Sequence, residues 1–168
     1  MANASTIKRV VNIIEDDPSS KYIVVSAPGK RNSADVKVTD ALYACFNEVQ
    51  KTGNCDSTFL TVAKRFHEIV NELGVDVDLD ENLKVIKEGI EASKTPDYAA
   101  SRGEYLSAKI LAAKLGFDFV DADEIIKFND KGELLLNYSL DAVKAKLSKL
   151  DHAVIPGFYG SDTNGKVH

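Results

Sequence analysis

The 168-residue chain contains no tryptophan, one methionine and two cysteines. No stretch approaches the roughly 20 consecutive apolar residues that a membrane-spanning helix needs, so a membrane span is excluded. Cys45 and Cys55 show no C-x-x-C spacing, and no secretory signal is present. Neither a disulfide framework nor a zinc site is therefore expected, and a cytoplasmic location is. Positive charge is also scarce: 21 Lys and Arg stand against 26 Asp and Glu, for a net charge of −5. The cations are scattered along helical patterns and are not interleaved with aromatics, which excludes a nucleic-acid surface built on a basic groove and stacking rings.

What is present reads as one domain over residues 1–168. Asn3 to Thr6 supply capping residues ahead of Ile7, Val10, Val11, Ile13 and Ile14, which recur at helical spacing up to "EDDPSS". "YIVVSAPGK" is a short β-branched run ending at Pro28-Gly29, expected to be a strand buried on both faces. Helices are expected at about 39–51, 57–73 and 80–93, followed by one containing "SRGEYLSAKILAAKLG" at 101–116 that closes at Gly116. "FDFVDA" then reads as a strand, residues 139–148 as a helix, and "HAVIPGFYG" as a second apolar strand. Strands alternating with helices point to an α/β fold with a mostly parallel sheet between helical layers.

Several patterns approach known chemistry and fall short. "GSDTNGKV" at 160–167 matches the phosphate-loop pattern up to its last position, where Val167 has no hydroxyl for magnesium, so a hairpin turn is expected. "DVDLDE" at 76–81 begins like an EF-hand loop, but Glu81 and Lys87 stand where Gly and a bidentate Glu are required. Helix capping by Asp78 or Asp80 accounts for it better. Asp121, Asp123 and Glu124 sit after a strand, where ligands of open α/β sheets bind. A magnesium or nucleotide role stands open there beside simple helix capping. His67, His152 and His168 share no ligand spacing.

Two stretches carry more. In "VVSAPGKRNSADVKVTD" at 24–40 a strand empties into a small-residue loop with two cations, able to offer backbone N–H groups to an anionic or zwitterionic ligand. In "SRGE", Ser101 and Glu104 fit an S-x-x-E capping box, which places Glu104 in the first turn of a helix whose dipole favours its charge. Gly103 serves no capping purpose, and it costs a helix about 0.8–1 kcal/mol relative to Ala. Its presence points to something approaching the backbone closely.

Taken together, "VVSAPG", "VTD", "SRGEYLSAKILAAKLG", "VDADEII" and "VIPGFYGSDTNGK" resemble, in order and spacing, successive landmarks of the catalytic domain of the aspartokinases, in the amino acid kinase family. The resemblance implies a three-layer α/β/α sandwich that transfers the γ-phosphoryl group of ATP, bound with Mg2+, to the side-chain carboxylate of L-aspartate. That reaction opens lysine, threonine and methionine biosynthesis. It also implies that Glu104 receives the α-ammonium group of aspartate, that Thr39 and Phe158 line the same pocket, and that Ser26 contributes from the loop.

The family's "KFGGTS" segment with its phosphate-contacting Lys would precede residue 1, and its "GRGGSD" segment with a carboxylate-binding Arg would follow His168. The chain thus corresponds to an internal, aspartate-side piece, incomplete at both ends of its sheet, without the nucleotide-binding half or the regulatory ACT domains. It is expected to be inactive alone, and the complete enzyme to be an allosteric homo-oligomer. The alternatives are a non-catalytic aspartate-binding or assembly fragment, and a family member that phosphorylates another carboxylate substrate.

Overall fold

The computed structural model describes residues 1–168 as seven helices and three strands. Helix α1 (Ala4–Glu15) starts at Asn3, which exchanges capping-box hydrogen bonds with Thr6, as the sequence indicates. Strand β1 (Tyr22–Val25) follows. After the loop come α2 (Val38–Thr52), α3 (Asp56–Leu73) and α4 (Leu79–Ala92). Gly53 and Gly74 close α2 and α3 in the left-handed conformation, where L side chains are strained. Asp78 caps α4 by accepting from the Glu81 N–H, so the EF-hand-like stretch is a helix start.

Helix α5 (Pro96–Leu115) begins five residues before Ser101, with Thr95 as N-cap and Pro96 at its first turn. This corrects the expectation for Glu104. It lies in the third turn, Ser101 donates its hydroxyl to the Tyr98 carbonyl rather than capping, and the dipole of the first turn does not reach it. The Thr-Pro pair was the true start signal. The middle of α5, with Ala99–Glu104 and Leu106–Ala108 all buried, is covered on every side.

Strands β2 (Asp118–Phe119) and β3 (Ala153–Pro156) complete the sheet, with α6 (Ala122–Ile125) and α7 (Leu136–Leu147) between them. The order is β1-β3-β2 and both pairings are parallel. Val25 and Val154 belong to the larger core, formed with α1 to α5 on one face. Ala153 and Ile155 belong to a smaller core with Val120, Ile125 and Leu147 on the other. The fold is thus α/β, with helices on both faces of a small parallel sheet.

Two apolar runs of similar composition meet different fates. β3 is central and wholly buried, whereas β1 is an edge strand whose Val24 is 67% exposed. The expectation that β1 is buried on both faces fails because nothing pairs with its outer side and α7 covers it only in part. Tyr22 reaches that helix's end, donating its hydroxyl to the Leu147 and Leu150 carbonyls.

Candidate functional site at the carboxyl ends of the strands

Ser26 is the first residue after β1, and the Gly157 N–H donates to the Val25 carbonyl. The loops leaving β1 and β3 therefore lie side by side at the carboxyl edge of the sheet, where open α/β folds bind ligands. Against them packs the middle of α5. A Cβ placed on Gly103 would stand 2.7 Å from Ala27 Cβ, 3.3 Å from Val38 Cγ1 and 3.4 Å from Leu42 Cδ1. What approaches this glycine is thus the chain's own loop and the start of α2. That approach brings Ser26 to the neighbouring Glu104.

Glu104 is only 4% exposed, yet its Oε2 has no hydrogen-bond partner. Oε1 meets the Ser26 hydroxyl only at 3.5 Å. Burial pushes the carboxyl pKa up, while the Ala27 N–H, the Ser26 hydroxyl and the charge of Arg102 work against that rise. A desolvated carboxylate with a free oxygen is costly alone and becomes favourable when a cation that donates hydrogen bonds reaches it. One turn further along α5 the buried Ser107 hydroxyl is also unpaired, extending the polar lining on the same side of the helix.

Thr39, half-buried, is the second residue of α2. No side chain caps this helix, its N-cap being Lys37. The Val38 N–H is used by the Pro28 carbonyl, so the free end of α2 adjoins the Gly103 contact. Phe158 follows β3 in the turn Gly157-Phe158-Tyr159-Gly160 and is 73% exposed. Its ring borders an apolar groove of about 520 Å³ on the α7 side of the sheet, together with Val24, Leu134 and Ile155. The structure thus brings Ser26 and Glu104 into contact and sets Val38, the residue before Thr39, against Gly103. Phe158 stands at the end of the neighbouring strand, β3, facing the groove on the α7 side. With φ of 80°, it is the one non-glycine residue in the left-handed region, a strain of about 1–3 kcal/mol.

The loop after β1 is also tied to itself by side chains. The Arg31 and Ala34 N–H groups donate to the side chains of Asp35 and Asn32, and the Arg31 guanidinium is taken up by Asp35 and Glu68. Arg65 of α3 completes the tie. It is buried, pairs with Asp35 and donates to the carbonyls of Ala2, Gly29 and Val36. Hydrogen bonds from Arg31, then the charge of Arg65, hold the Asp35 carboxyl far below the ordinary carboxylate range. Arg65 is not legible in the sequence, because nothing in the spacing of residues 29, 35 and 65 announces their contact.

The other candidates have structural roles. Residues 160–168 form a hairpin in which Gly160 and His168 exchange backbone hydrogen bonds, and Asp162 accepts from the N–H groups of Asn164 and Lys166. Asp121 caps α6. His152 stacks on Phe117 and the His168 ring lies 3.2 Å from Asp162. Cys45 and Cys55 are free and buried. No three carboxylates, histidines or thiols converge where they could hold a metal ion, and no helix is long and apolar enough to cross a membrane.

No family model matches the chain. Aspartokinase 3 of Bacillus subtilis is 30% identical to it over 182 aligned residues, which cover 99% of this chain. The crystal structure of Clostridium acetobutylicum aspartate kinase superposes with a TM-score of 0.95 at 44% identity, again over 99% of this chain. The chain is similar over nearly its whole length to part of the aspartokinases. A structure of E. coli aspartokinase III in complex with aspartate and ADP, 17% identical with a TM-score of 0.79, shares its fold. The chain spans about 40% of the length of the relatives it matches.

The Gly103 contact in this chain is directly testable. Gly103→Ala adds overpacking worth about 1–3 kcal/mol against a helix-propensity gain of about 1 kcal/mol. We expect a lower melting temperature and separation of Ser26 from Glu104. A higher melting temperature would show that Ala27 yields without cost.

Proposed function

We propose that this chain is the aspartate-binding part of an aspartate kinase, the enzyme that transfers the γ-phosphoryl group of ATP to the side-chain carboxylate of L-aspartate and gives 4-phospho-L-aspartate. The observation that carries this reading is the Glu104 carboxylate, buried at the carboxyl edge of the sheet with one oxygen unpartnered, in a chain 44% identical to an aspartate kinase. An amino-acid substrate carries an ammonium group that needs such a partner. Phosphate or nucleotide alone does not.

In this reading Glu104 accepts hydrogen bonds from the α-ammonium, and Ser26 and Thr39 position the substrate from the loop and from the start of α2. Phe158 closes one side of the pocket. The substrate's β-carboxylate oxygen then attacks the γ-phosphorus, the bond to the β-phosphate bridging oxygen breaks, and ADP leaves. Phosphoryl transfer depends chiefly on such positioning and on cations that balance charge at the phosphate. The residues of this chain contribute the acceptor's orientation. They build no cage for the magnesium of MgATP, and the Lys and Arg that the family places in "KFGGTS" and "GRGGSD" lie outside the 168 residues.

The same reading assigns the nucleotide-binding half and regulatory ACT domains to sequence beyond these residues, and homo-oligomeric assembly, a cytoplasmic location and a place in lysine, threonine and methionine biosynthesis to the whole enzyme. The test is hydroxylamine trapping of acyl phosphate from L-aspartate and MgATP. We expect product from a chain extended through both motifs and the nucleotide-binding half, none from the 168 residues alone, and its loss on Glu104→Ala. Turnover that survives Glu104→Ala would contradict the assigned role.

A further inference from the structure

Arg102 is buried at 6% exposure but forms no ion pair within 4 Å of any carboxylate. Its guanidinium carbon instead lies 4.5 Å from the ring centroid of Tyr98, 4.7 Å from that of Tyr105 and 5.0 Å from that of Tyr159. Nε donates to the Ser101 hydroxyl at 3.0 Å, and Nη2 has no partner. Tyr98 and Tyr105 share the α5 face of Arg102 by their i−4 and i+3 spacing. Tyr159 comes from the turn after β3. Its buried hydroxyl donates to Asp121, the residue that caps α6.

Tyr159 is thus held from two elements at once: its ring by the cation on α5, its hydroxyl by the carboxylate that follows β2. It is also the residue next to Phe158. The ends of the turn are fixed as well. The Gly157 N–H donates to the Val25 carbonyl and the Gly160 N–H to the His168 carbonyl, and a Cβ on Gly160 would come within 2.3 Å of the Ile126 carbonyl oxygen. With both ends tied and Tyr159 drawn inward, Phe158 must project outward, and it does so at a φ of 80°. Left-handed aromatic residues persist only where the surroundings over-determine them.

We propose that Arg102, Tyr159 and Asp121 form a clamp that holds Phe158 in its left-handed conformation, which makes Arg102 and Tyr159 positioning residues for the substrate pocket. The clamp rests on the geometry just described. Its bearing on substrate rests on the aspartate-kinase reading, through the place of Phe158 in the pocket. A cation over three rings tolerates replacement by another cation far better than by a neutral chain of similar length. The role therefore belongs to the charge of Arg102 and to the ring and hydroxyl of Tyr159.

The test uses the intraresidue HN–Hα NOE of Phe158, strong when φ is positive, in the isotopically labelled chain, with L-aspartate as the probe for binding. Arg102→Lys is expected to keep the NOE, Tyr159→Phe to weaken it and Arg102→Met to weaken it further. L-aspartate affinity should fall several-fold in the last two variants and hold in Arg102→Lys. An NOE of undiminished strength in both Tyr159→Phe and Arg102→Met overturns the clamp. If Arg102→Met does not fold, Tyr159→Phe alone decides, since it removes one hydroxyl and leaves the ring in place. A wild-type chain that does not bind L-aspartate, with the NOE responding as expected, removes the substrate reading and leaves the clamp standing.

Discussion

Glu104→Gln is expected to weaken L-aspartate binding by more than an order of magnitude and, at neutral pH, to make the protein more stable. The carboxylate is buried with Oε2 unpaired, so in the ligand-free chain its charge is a cost that a neutral amide of the same shape avoids. A gain of about 1 kcal/mol is the scale for such a group, or roughly 2–4 °C in melting temperature for a domain of this size. Burial raises the carboxyl pKa above 4.5, and that direction fixes the pH dependence. Below 4.5 the group is protonated in both folded and unfolded chains, so wild type and variant differ little. The advantage of the variant opens as pH rises from 4.5 through the raised folded-state value and is constant above it.

Binding moves the other way. An ammonium group seated where its carboxylate has been removed loses about 2–5 kcal/mol, at least about thirtyfold in Kd. Thermal melts between pH 4 and 8 and a titration with L-aspartate check both halves. Lower stability at neutral pH, or unaltered affinity, would show that Glu104 is structural.

The second large effect is expected at Arg65, which ties the loop between Ser26 and Thr39. Arg65→Met removes the donors to the carbonyls of Ala2, Gly29 and Val36, partly exposed acceptors for which each lost hydrogen bond costs about 0.5–1.5 kcal/mol. A loss of about 2–4 kcal/mol is expected, and it leaves Asp35 held by Arg31 alone. Because these contacts fasten the loop between Ser26 and Thr39, L-aspartate affinity should fall along with stability. Arg65→Lys restores charge but cannot serve three carbonyls and a carboxylate at once, so it should recover only part of either. The low pKa of Asp35 adds an acid limit: its contribution is complete above the ordinary value of 3.8 and is lost as pH falls below it toward the depressed folded-state value. Chemical denaturation of the three proteins, paired with the titration, would contradict the account if Arg65→Met matched wild type in both.

The sequence reveals much of this architecture where a local rule acts alone. The Asn3–Thr6 capping box, the glycines that end α2, α3 and α5, and the Asp78 cap of α4 are written in adjacent residues. Competition between rules misleads. Ser101-x-x-Glu104 imitates a capping box, while Thr95-Pro96 marks the true start of α5, and a helix polar and apolar in turn offers no periodicity to choose between them. Position in the sheet is equally silent, since "YIVV" and "AVIP" look alike and only the strand order makes one an edge and the other a centre.

At the site, Glu104 and Ser26 are legible because they fall in distinctive motifs, and Gly103 because a mid-helix glycine needs a reason. Its reason is Ala27, not a ligand. Arg102, Tyr159 and Asp121 are ordinary residues whose meaning arises only when α5, the turn after β3 and the cap of α6 are folded together.

The central claim, that Glu104 receives the ammonium group of the substrate, is tested most directly by titrating the chain with L-aspartate and with succinate, which lacks that group, while following the side-chain carboxyl carbon of Glu104 by NMR. The account predicts that L-aspartate shifts this resonance at concentrations where succinate leaves it unmoved. Equal responses to both ligands, or an aspartate response that bypasses Glu104, would contradict it.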